Sequence, residues 1–327
     1  AIKFARAFTK RDGIAYGRGG FHGLTYGALS LMSNPWWRKG FGSLLPNTLD
    51  IPFGDLGALE LVLSTERYAA FIVEPVQAEA GIILPPENYL KEVQKICERS
   101  GTLFVLDEVQ TGLGRCGELL ASHYYQVEPD MIILAKALSG GQIPVGALLM
   151  RADICNSVYS SVDRAFVHAS TFGENSMAMR AGLATLDVLE AERLFERSRS
   201  LGEYFRSELH RVCDNSSSVK EVRGVGLMNA IEFQPPKGFM ARGMYNAVAK
   251  IHDGVFGQMV VKELFDSSKI LTQMCGNNFK VIKFIPPLTV QKSEIDQVIT
   301  AVSTLLHKLE HNPIRFWRKT LKIAHKA

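Results

Sequence analysis

An acid and a lysine each stand directly after a short apolar segment of this sequence. Residues 103–106 are followed by Asp107, and residues 131–134 are followed, after one alanine, by Lys136. Both segments have the length and composition of strands, and open α/β sheets bind their ligands at the carboxyl ends of strands. A carboxylate buried there is costly unless a cation neutralises it. The pair therefore predicts a site where an acid and an amine act on one bound group.

The neighbours of the lysine indicate which chemistry this site performs. Lys136 stands between Ala135, Ala137 and Leu138, and removing an amine from water lowers its pKa and makes it a nucleophile. Pyridoxal phosphate requires such a pair, with a lysine on its aldehyde and a carboxylate facing its pyridinium nitrogen. The carboxylate keeps the ring able to accept an electron pair, and the displaced lysine moves the proton. The two residues together favour pyridoxal phosphate as the cofactor.

Each residue taken alone has a simpler explanation. Asp107 could cap a helix that follows the strand, and Lys136 could be an ordinary solvated lysine. Only the combination within matching flanks favours the cofactor. His22, His123 and His168 lack the spacing of metal ligands, so we expect no metal site.

The hydrophobic pattern predicts the elements that position these side chains. Short apolar runs alternate with amphipathic stretches over the first two thirds of the chain, as in a parallel sheet flanked by helices. The expected strands are residues 70–73, 103–106, 131–134 and 146–150, the last returning antiparallel. The expected helices are residues 2–8, 88–99, 176–190 and 191–212.

A polar loop at residues 214–218 predicts a domain boundary. Beyond it, strands at 226–233, 270–272 and 280–284 and a helix at 292–309 indicate a smaller α+β domain. We therefore expect a large cofactor-binding domain over 1–212, a C-terminal small domain over 213–312 and a basic tail over 313–327.

Composition excludes several classes of protein. With 327 residues, 46% of them hydrophobic and 21% charged, the chain is globular rather than disordered or fibrous. The net charge of +4 is concentrated after residue 307, so the body carries no excess of basic residues for nucleic acid. The basic tail resembles either a membrane-surface helix or a solvated terminal helix, and no apolar run is long enough to span a membrane. Five scattered cysteines indicate reduced thiols and a cytoplasmic location.

Several long motifs resemble those of one family. Residues 71–81, 104–115, 134–141 and 170–175 resemble class III aminotransferases of the ornithine and ω-amino-acid type, as do 21–23 and 282–288. The resemblance covers nearly the whole chain in order and spacing. It implies an α/β protein of pyridoxal-phosphate fold type I, with a mostly parallel central sheet in the large domain.

The resemblance assigns the cofactor contacts residue by residue. Lys136 is implied as the Schiff-base lysine and Asp107 as the partner of the pyridine nitrogen. Val109 would pack on one face of the ring and Phe21 on the other, and Gln110 would reach the phenolic oxygen.

Other residues are implied at the edges of the site. Thr171 resembles the residue that contacts the cofactor phosphate of the neighbouring subunit, which implies a homodimer; it could also cap the following helix. Glu79 resembles the glutamate that gates the substrate carboxylate, and Lys283 replaces the family's carboxylate-binding arginine. Lysine lacks the bidentate fork of arginine, so an amine or aldehyde without an α-carboxylate is a possible substrate. Glu74 is expected to support residues that contact the cofactor rather than to contact the cofactor itself.

The resemblance implies an aminotransferase that moves an amino group from an amine or amino-acid donor to an aldehyde or oxo-acid acceptor. The transfer would use a Lys136 Schiff base and pyridoxamine phosphate. An aminomutase or decarboxylase on the same fold, or a catalytically silent dimerisation domain of a larger biosynthetic protein, remains an alternative. The resemblance also implies a segment before Ala1 that contains the phosphate-binding loop.

Overall fold

The computed structural model describes residues 1–249, 254–311 and 316. Contacts within the chain divide it into two compact units. The first unit comprises Ala1–Ala78 and Leu84–Phe195, and the second comprises Glu79–Ile83 and Glu196–Ala327.

A six-stranded sheet forms the centre of the first unit, in the order β2-β1-β3-β4-β5-β6. The first five strands run parallel, and β6 pairs antiparallel with β5, as the sequence predicts. The sequence analysis did not predict β1 or β2, which complete one side of the sheet. The strands are β1 (Gly13–Gly17), β2 (Thr48–Ile51), β3 (Tyr68–Val73), β4 (Leu103–Asp107), β5 (Met131–Leu134) and β6 (Ala147–Met150).

The central strands are buried on both faces, which explains their continuous apolar sequence. Along β3, Phe71 and Val73 join a cluster with residues of α4 and α5, whereas Ala70 and Ile72 join a second cluster with Phe4 of α1 and residues of α7. The helices of this unit are α1 (Ile2–Thr9), α2 (Tyr26–Leu29), α3 (Pro35–Arg38), α4 (Leu56–Leu63), α5 (Tyr89–Ser100), α6 (Ala121–Tyr125), α7 (Ala152–Val158) and α8 (Ser176–Ala191).

The second unit contains an antiparallel sheet in the order β7-β8-β10-β9. Its strands are β7 (Val219–Val225), β8 (Met228–Phe233), β9 (Gln273–Met274) and β10 (Val281–Phe284). Its helices are α9 (Leu194–Cys213), which begins at the end of the first unit, α10 (Phe239–Ala249), α11 (Val255–Ser268) and α12 (Lys292–His311). Val222, Ile231 and Ile282 are cross-strand partners and belong to the hydrophobic core of this unit. The mostly parallel sheet and the separate antiparallel sheet confirm the predicted fold class.

The compact units divide the chain between Phe195 and Glu196 rather than between 212 and 213. The helix α9 carries Phe205, Leu209 and Cys213 into the core of the second unit, which accounts for the earlier division. Most of the basic tail, 313–327, lies outside the described residues; Phe316 is buried in the second core. Within the described residues, every helix is too short or too polar to cross a membrane.

Candidate active site

Four neighbouring strands of the first sheet end at the same edge, because β1, β3, β4 and β5 are adjacent and parallel. A loop containing Phe21 and His22 follows β1, Glu74 follows β3, Asp107 ends β4, and Lys136 follows β5. The sheet therefore gathers two acids, a histidine and a lysine at its carboxyl edge, where α/β proteins bind ligands.

Asp107 is 4% exposed and uses both carboxylate oxygens. Its Oδ2 lies 2.7 Å from Nδ1 of His22, and its Oδ1 accepts a hydrogen bond of 3.1 Å from the backbone N–H of Val109. The described chain enters its next α-helix only at Ala121, so the helix-cap interpretation of Asp107 was wrong. These contacts orient the carboxylate while lone pairs remain for a ligand.

Glu74 is a second buried acid at this edge, with 3% exposure. Its Oε1 accepts a hydrogen bond of 2.8 Å from the N–H of Phe21, and its Oε2 accepts one of 3.1 Å from the N–H of Ala78. Burial raises the pKa of Glu74 to about 7, assisted by the charge of Asp107 and opposed by His22 and the two N–H donors. Glu74 therefore ties together the loops after β1 and β3, in agreement with its expected supporting role.

His22 lies between the two acids, and the sequence analysis gave it no role. Burial by itself would lower the pKa of His22, but the hydrogen bond to Asp107 and the charges of Asp107 and Glu74 outweigh burial and raise it. Its Nε2 is buried and makes no hydrogen bond to the described residues. Its position in the Phe21-His-Gly23 motif was the signal that could have revealed it.

Lys136 begins a 3₁₀ turn, Lys136–Ser139, directly after β5. Its φ of 47° is left-handed, and Gly140 and Gly141 follow with φ of 63° and 79°. This backbone turns sharply at the strand end, as a residue presented to a ligand requires. Lys136 is exposed in this chain, so the expected desolvation by its apolar neighbours is not observed.

Phe21, Val109 and Gln110 are half-buried close to these groups in the sequence. The ring of Phe21 meets the ring of Trp37 edge to face, with centroids 5.2 Å apart. The backbone contacts to Glu74 and Asp107 thus hold Phe21 and Val109 beside the buried acids.

Thr171 lies in an exposed turn before α8. Asn175 caps that helix instead, since its side chain accepts a hydrogen bond of 2.9 Å from the N–H of Ala178. The helix-cap interpretation of Thr171 was therefore wrong.

Glu79 and Lys283 form an ion pair within the second unit. Lys283 lies on β10 with a side chain only 2% exposed, and its Nζ contacts Oε1 of Glu79. The other carboxylate oxygen of Glu79 accepts a hydrogen bond of 2.8 Å from the N–H of Gly276. The structure thus brings together the two residues predicted to contact substrate, and the pair neutralises its own charges.

The charges at the sheet edge fit pyridoxal phosphate. When Glu74 and Asp107 are ionised and His22 is protonated, the buried cluster carries one unbalanced negative charge. Such a charge is costly to bury. A protonated pyridine nitrogen on Asp107 would neutralise it, and Lys136 provides the amine that this cofactor requires.

The mostly parallel central sheet and the separate antiparallel sheet are those of pyridoxal-phosphate fold type I. The family model "Aminotransferase class-III" matches residues 1–306, and the chain belongs to this family. Class III aminotransferases depend on pyridoxal phosphate, as the resemblance implied.

The relatives that match this chain are named as aminotransferases of different substrates. The chain is 35% identical to the Aminotransferase PigE of Serratia sp. (94% of this chain, 40% of the relative) and 35% identical to a putrescine aminotransferase of Pectobacterium atrosepticum (94% and 63%). It is 39% identical to an ornithine aminotransferase of Bacillus subtilis (88% and 64%). The chain therefore spans less than two thirds of the length of these curated relatives. Its fold resembles a solved ornithine aminotransferase from Toxoplasma gondii with a TM-score of 0.83 and 31% identity, covering 95% of this chain and 70% of that one.

Proposed function

We propose that this protein is a pyridoxal-phosphate-dependent aminotransferase. The observation that carries the proposal is the pairing of β4 with β5, in which Asp107 lies opposite Ile133, three residues before Lys136. A buried, oriented carboxylate and a lysine on a left-handed turn therefore end adjacent parallel strands. The match of the family model to residues 1–306 supports the same function.

Each residue has a distinct task in the proposed site. When bound, pyridoxal phosphate supplies an aldehyde that links to amines and a ring that accepts an electron pair. Asp107 would keep the ring nitrogen protonated, and the Nζ of Lys136 would carry the proton removed from the donor carbon. Phe21 and Val109 would lie on the two faces of the ring and Gln110 near its phenolic oxygen, as the resemblance implies.

The substrates that we propose are an amine or amino acid as donor and an aldehyde or oxo-acid as acceptor. We assign Glu79 and Lys283 to contact with the substrate, as the resemblance implies. Lys283 offers a compact ammonium without the fork that grips a carboxylate, and Glu79 already neutralises it. This favours donors that present no carboxylate to Lys283, such as diamines or ω-amines.

We also propose that two copies of the chain form a homodimer. Apolar side chains are exposed on α8 and in the segment before it, among them Phe166, Phe172, Met177 and Leu183. A patch of this kind is typical of a protein interface, and Thr171 lies within it. A second copy would bury the patch and bring Thr171 toward the partner's cofactor phosphate.

The five free cysteines support a cytoplasmic location.

A half-reaction with purified chain tests the function. The chain is loaded with pyridoxal phosphate, and diamines, ω-amines and α-amino acids are added singly without an acceptor. We expect stoichiometric pyridoxamine phosphate and carbonyl product from at least one donor, which neither a decarboxylase nor an aminomutase leaves. Lys136→Ala should abolish the bound-cofactor absorbance and the reaction, whereas the exposed control Lys95→Ala should retain both.

Two results would contradict the proposal. Amino transfer by Lys136→Ala at the wild-type rate would contradict the catalytic role of the lysine. Bound cofactor without product from any donor would favour the silent dimerisation domain.

Sedimentation analysis of the wild type and of Leu183→Glu tests the dimer, which we expect only in the wild type.

A further inference from the structure

The carboxyl edge of the first sheet holds a buried chain of three charged side chains, Glu74, His22 and Asp107. The side chains of His22 and Asp107 are 4% and 5% exposed, and Glu74 is 3% exposed as a residue. The charges of His22 and Asp107 both act on the Glu74 carboxyl. Burying these three groups is costly unless their charges balance one another or are balanced by a ligand.

Gly20 allows the loop after β1 to approach two neighbouring members of this group, His22 and Glu74. A Cβ on Gly20 would lie 2.9 Å from Nε2 of His22 and 3.4 Å from Oε1 of Glu74. Any larger residue would push the imidazole and the carboxylate apart. The close approach therefore keeps the charge of Glu74 near His22 although no direct hydrogen bond joins them.

The hydrogen bonds assign different tasks to the three side chains. Asp107 directs its oxygens to His22 and to the N–H of Val109, and it is the member that faces the ring nitrogen in the proposed function. Glu74 uses both oxygens on backbone N–H groups, those of Phe21 and Ala78. Glu74 acts on the ring nitrogen through its charge near His22 and Asp107 and through the position of Phe21.

We propose that Glu74 is a positioning residue that takes part in cofactor binding by ionising when a protonated ring nitrogen docks on Asp107. Without a ligand, the cluster avoids its unbalanced negative charge by keeping a proton on Glu74. The docked ring cation supplies the missing positive charge, so the proton leaves Glu74 for solvent while His22 stays protonated. This inference rests on the proposed function because that function places the ring nitrogen at Asp107.

Infrared difference spectroscopy tests the ionisation directly. Pyridoxal phosphate is added to the chain at about one unit below the Glu74 pKa of about 7, where most Glu74 side chains are protonated. We expect the loss of one buried carboxylic-acid C=O band, and no such loss in Glu74→Gln. An analogue whose ring carries CH in place of nitrogen should bind without changing the band.

Histidine NMR tests the interaction between Glu74 and His22 in the protein without cofactor. The signal of His22, assigned by its disappearance in His22→Gln, should titrate above the ordinary range in the wild type. It should titrate lower in Glu74→Gln, because the anion that Glu74 forms above its pKa of about 7 is gone. Glu74→Asp retains the charge and should restore most of the shift.

A matched control is available at the same edge. Glu108 is also buried and accepts hydrogen bonds from two backbone N–H groups, those of Ala121 and Ser122, but it caps α6 rather than facing His22. Glu108→Gln should therefore leave both the titration of His22 and the infrared change intact.

The outcomes separate this inference from the proposed function. A C=O band that persists when pyridoxal phosphate binds, or a His22 titration unchanged in Glu74→Gln, overturns the inference and leaves the aminotransferase intact. Loss of the band with bound cofactor, but no amino transfer to any acceptor, refutes the proposed function and supports the role of Glu74.

Discussion

Removing the carboxylate of Glu79 isolates the ion pair of the second unit. Glu79→Gln keeps the size of the side chain and an acceptor for the N–H of Gly276, but leaves the ammonium of Lys283 without its partner. The side chain of Lys283 is 2% exposed, so water cannot replace the lost carboxylate. Lys283→Met is the reciprocal change and leaves a carboxylate that is 17% exposed.

The two substitutions should have unequal costs. Breaking a buried pair by removing one partner typically costs about 3–5 kcal/mol. Because the ammonium of Lys283 is almost fully buried, we expect about 4 kcal/mol for Glu79→Gln. Lys283→Met leaves Glu79 partly hydrated and hydrogen-bonded to Gly276, and should cost about 2 kcal/mol. The double variant should approach the wild type, since a neutral pair leaves no buried charge.

Urea unfolding followed by circular dichroism measures these free-energy costs. Because the two units need not unfold together, hydrogen exchange of the β10 amides measures the stability of the second unit separately. Asp266→Asn is the control, since it breaks an exposed pair with Lys262 in the same unit and should cost less than about 1 kcal/mol. The reasoning fails if Glu79→Gln costs no more than this control, or if Lys283→Met costs more than Glu79→Gln.

Three further predictions test the fold and the acid at the sheet edge. Asn175→Ala should cost about 1 kcal/mol in thermal unfolding because it removes the cap of α8, and Asn175→Ser should recover most of it. Gly202→Ala should destabilise the second unit, since the new Cβ would lie 2.0 Å from the carbonyl oxygen of Gly226. The Cβ of Gly243→Ala meets nothing within 4 Å, so this variant should stabilise its helix by up to about 1 kcal/mol. Equal melting temperatures for the two glycine variants would contradict this prediction. Because the folded pKa of Glu74 is raised from 4.5 to about 7, its contribution is fully present below 4.5 and is lost as pH rises to about 7, so Glu74→Gln should flatten the fall in unfolding free energy over that range.

The sequence predicted those strands whose burial makes them continuously apolar. The segments that became β3 and β4 are buried on both faces and that of β5 is buried at its two ends, so their apolar composition alone indicated parallel strands. The strand β1 reads Gly-Ile-Ala-Tyr-Gly and was missed because glycine and alanine are poor strand formers. It is nevertheless fully buried, because it pairs with both β2 and β3, and those contacts are non-local.

Site residues could be predicted where the residue type and its flanking strand indicate the role. They could not be predicted where the role depends on a contact with a residue distant in sequence. Asp107 and Lys136 follow apolar strands, so their positions could be inferred from sequence alone. His22 has no such signal, because its importance comes from a contact with Asp107 across 85 positions of sequence. The pairing of Glu79 with Lys283 likewise spans 204 positions, and the resemblance indicated each residue separately but not the pair.

The order of strands explains why a site assembled from such distant residues is nevertheless rigid. The strand β3 lies between β1 and β4, so Glu74 at its end is the member that can reach both the loop after β1 and the edge at Asp107. Its two hydrogen bonds fix the backbone at Phe21 and Ala78, and His22 is therefore held against Asp107 by residues on three adjacent strand ends. A ligand that binds Asp107 meets a carboxylate whose orientation depends on His22, and the loop of His22 is tied down by Glu74 one strand away. Substitutions at Glu74 should thus change the ionisation of the site without touching the ligand.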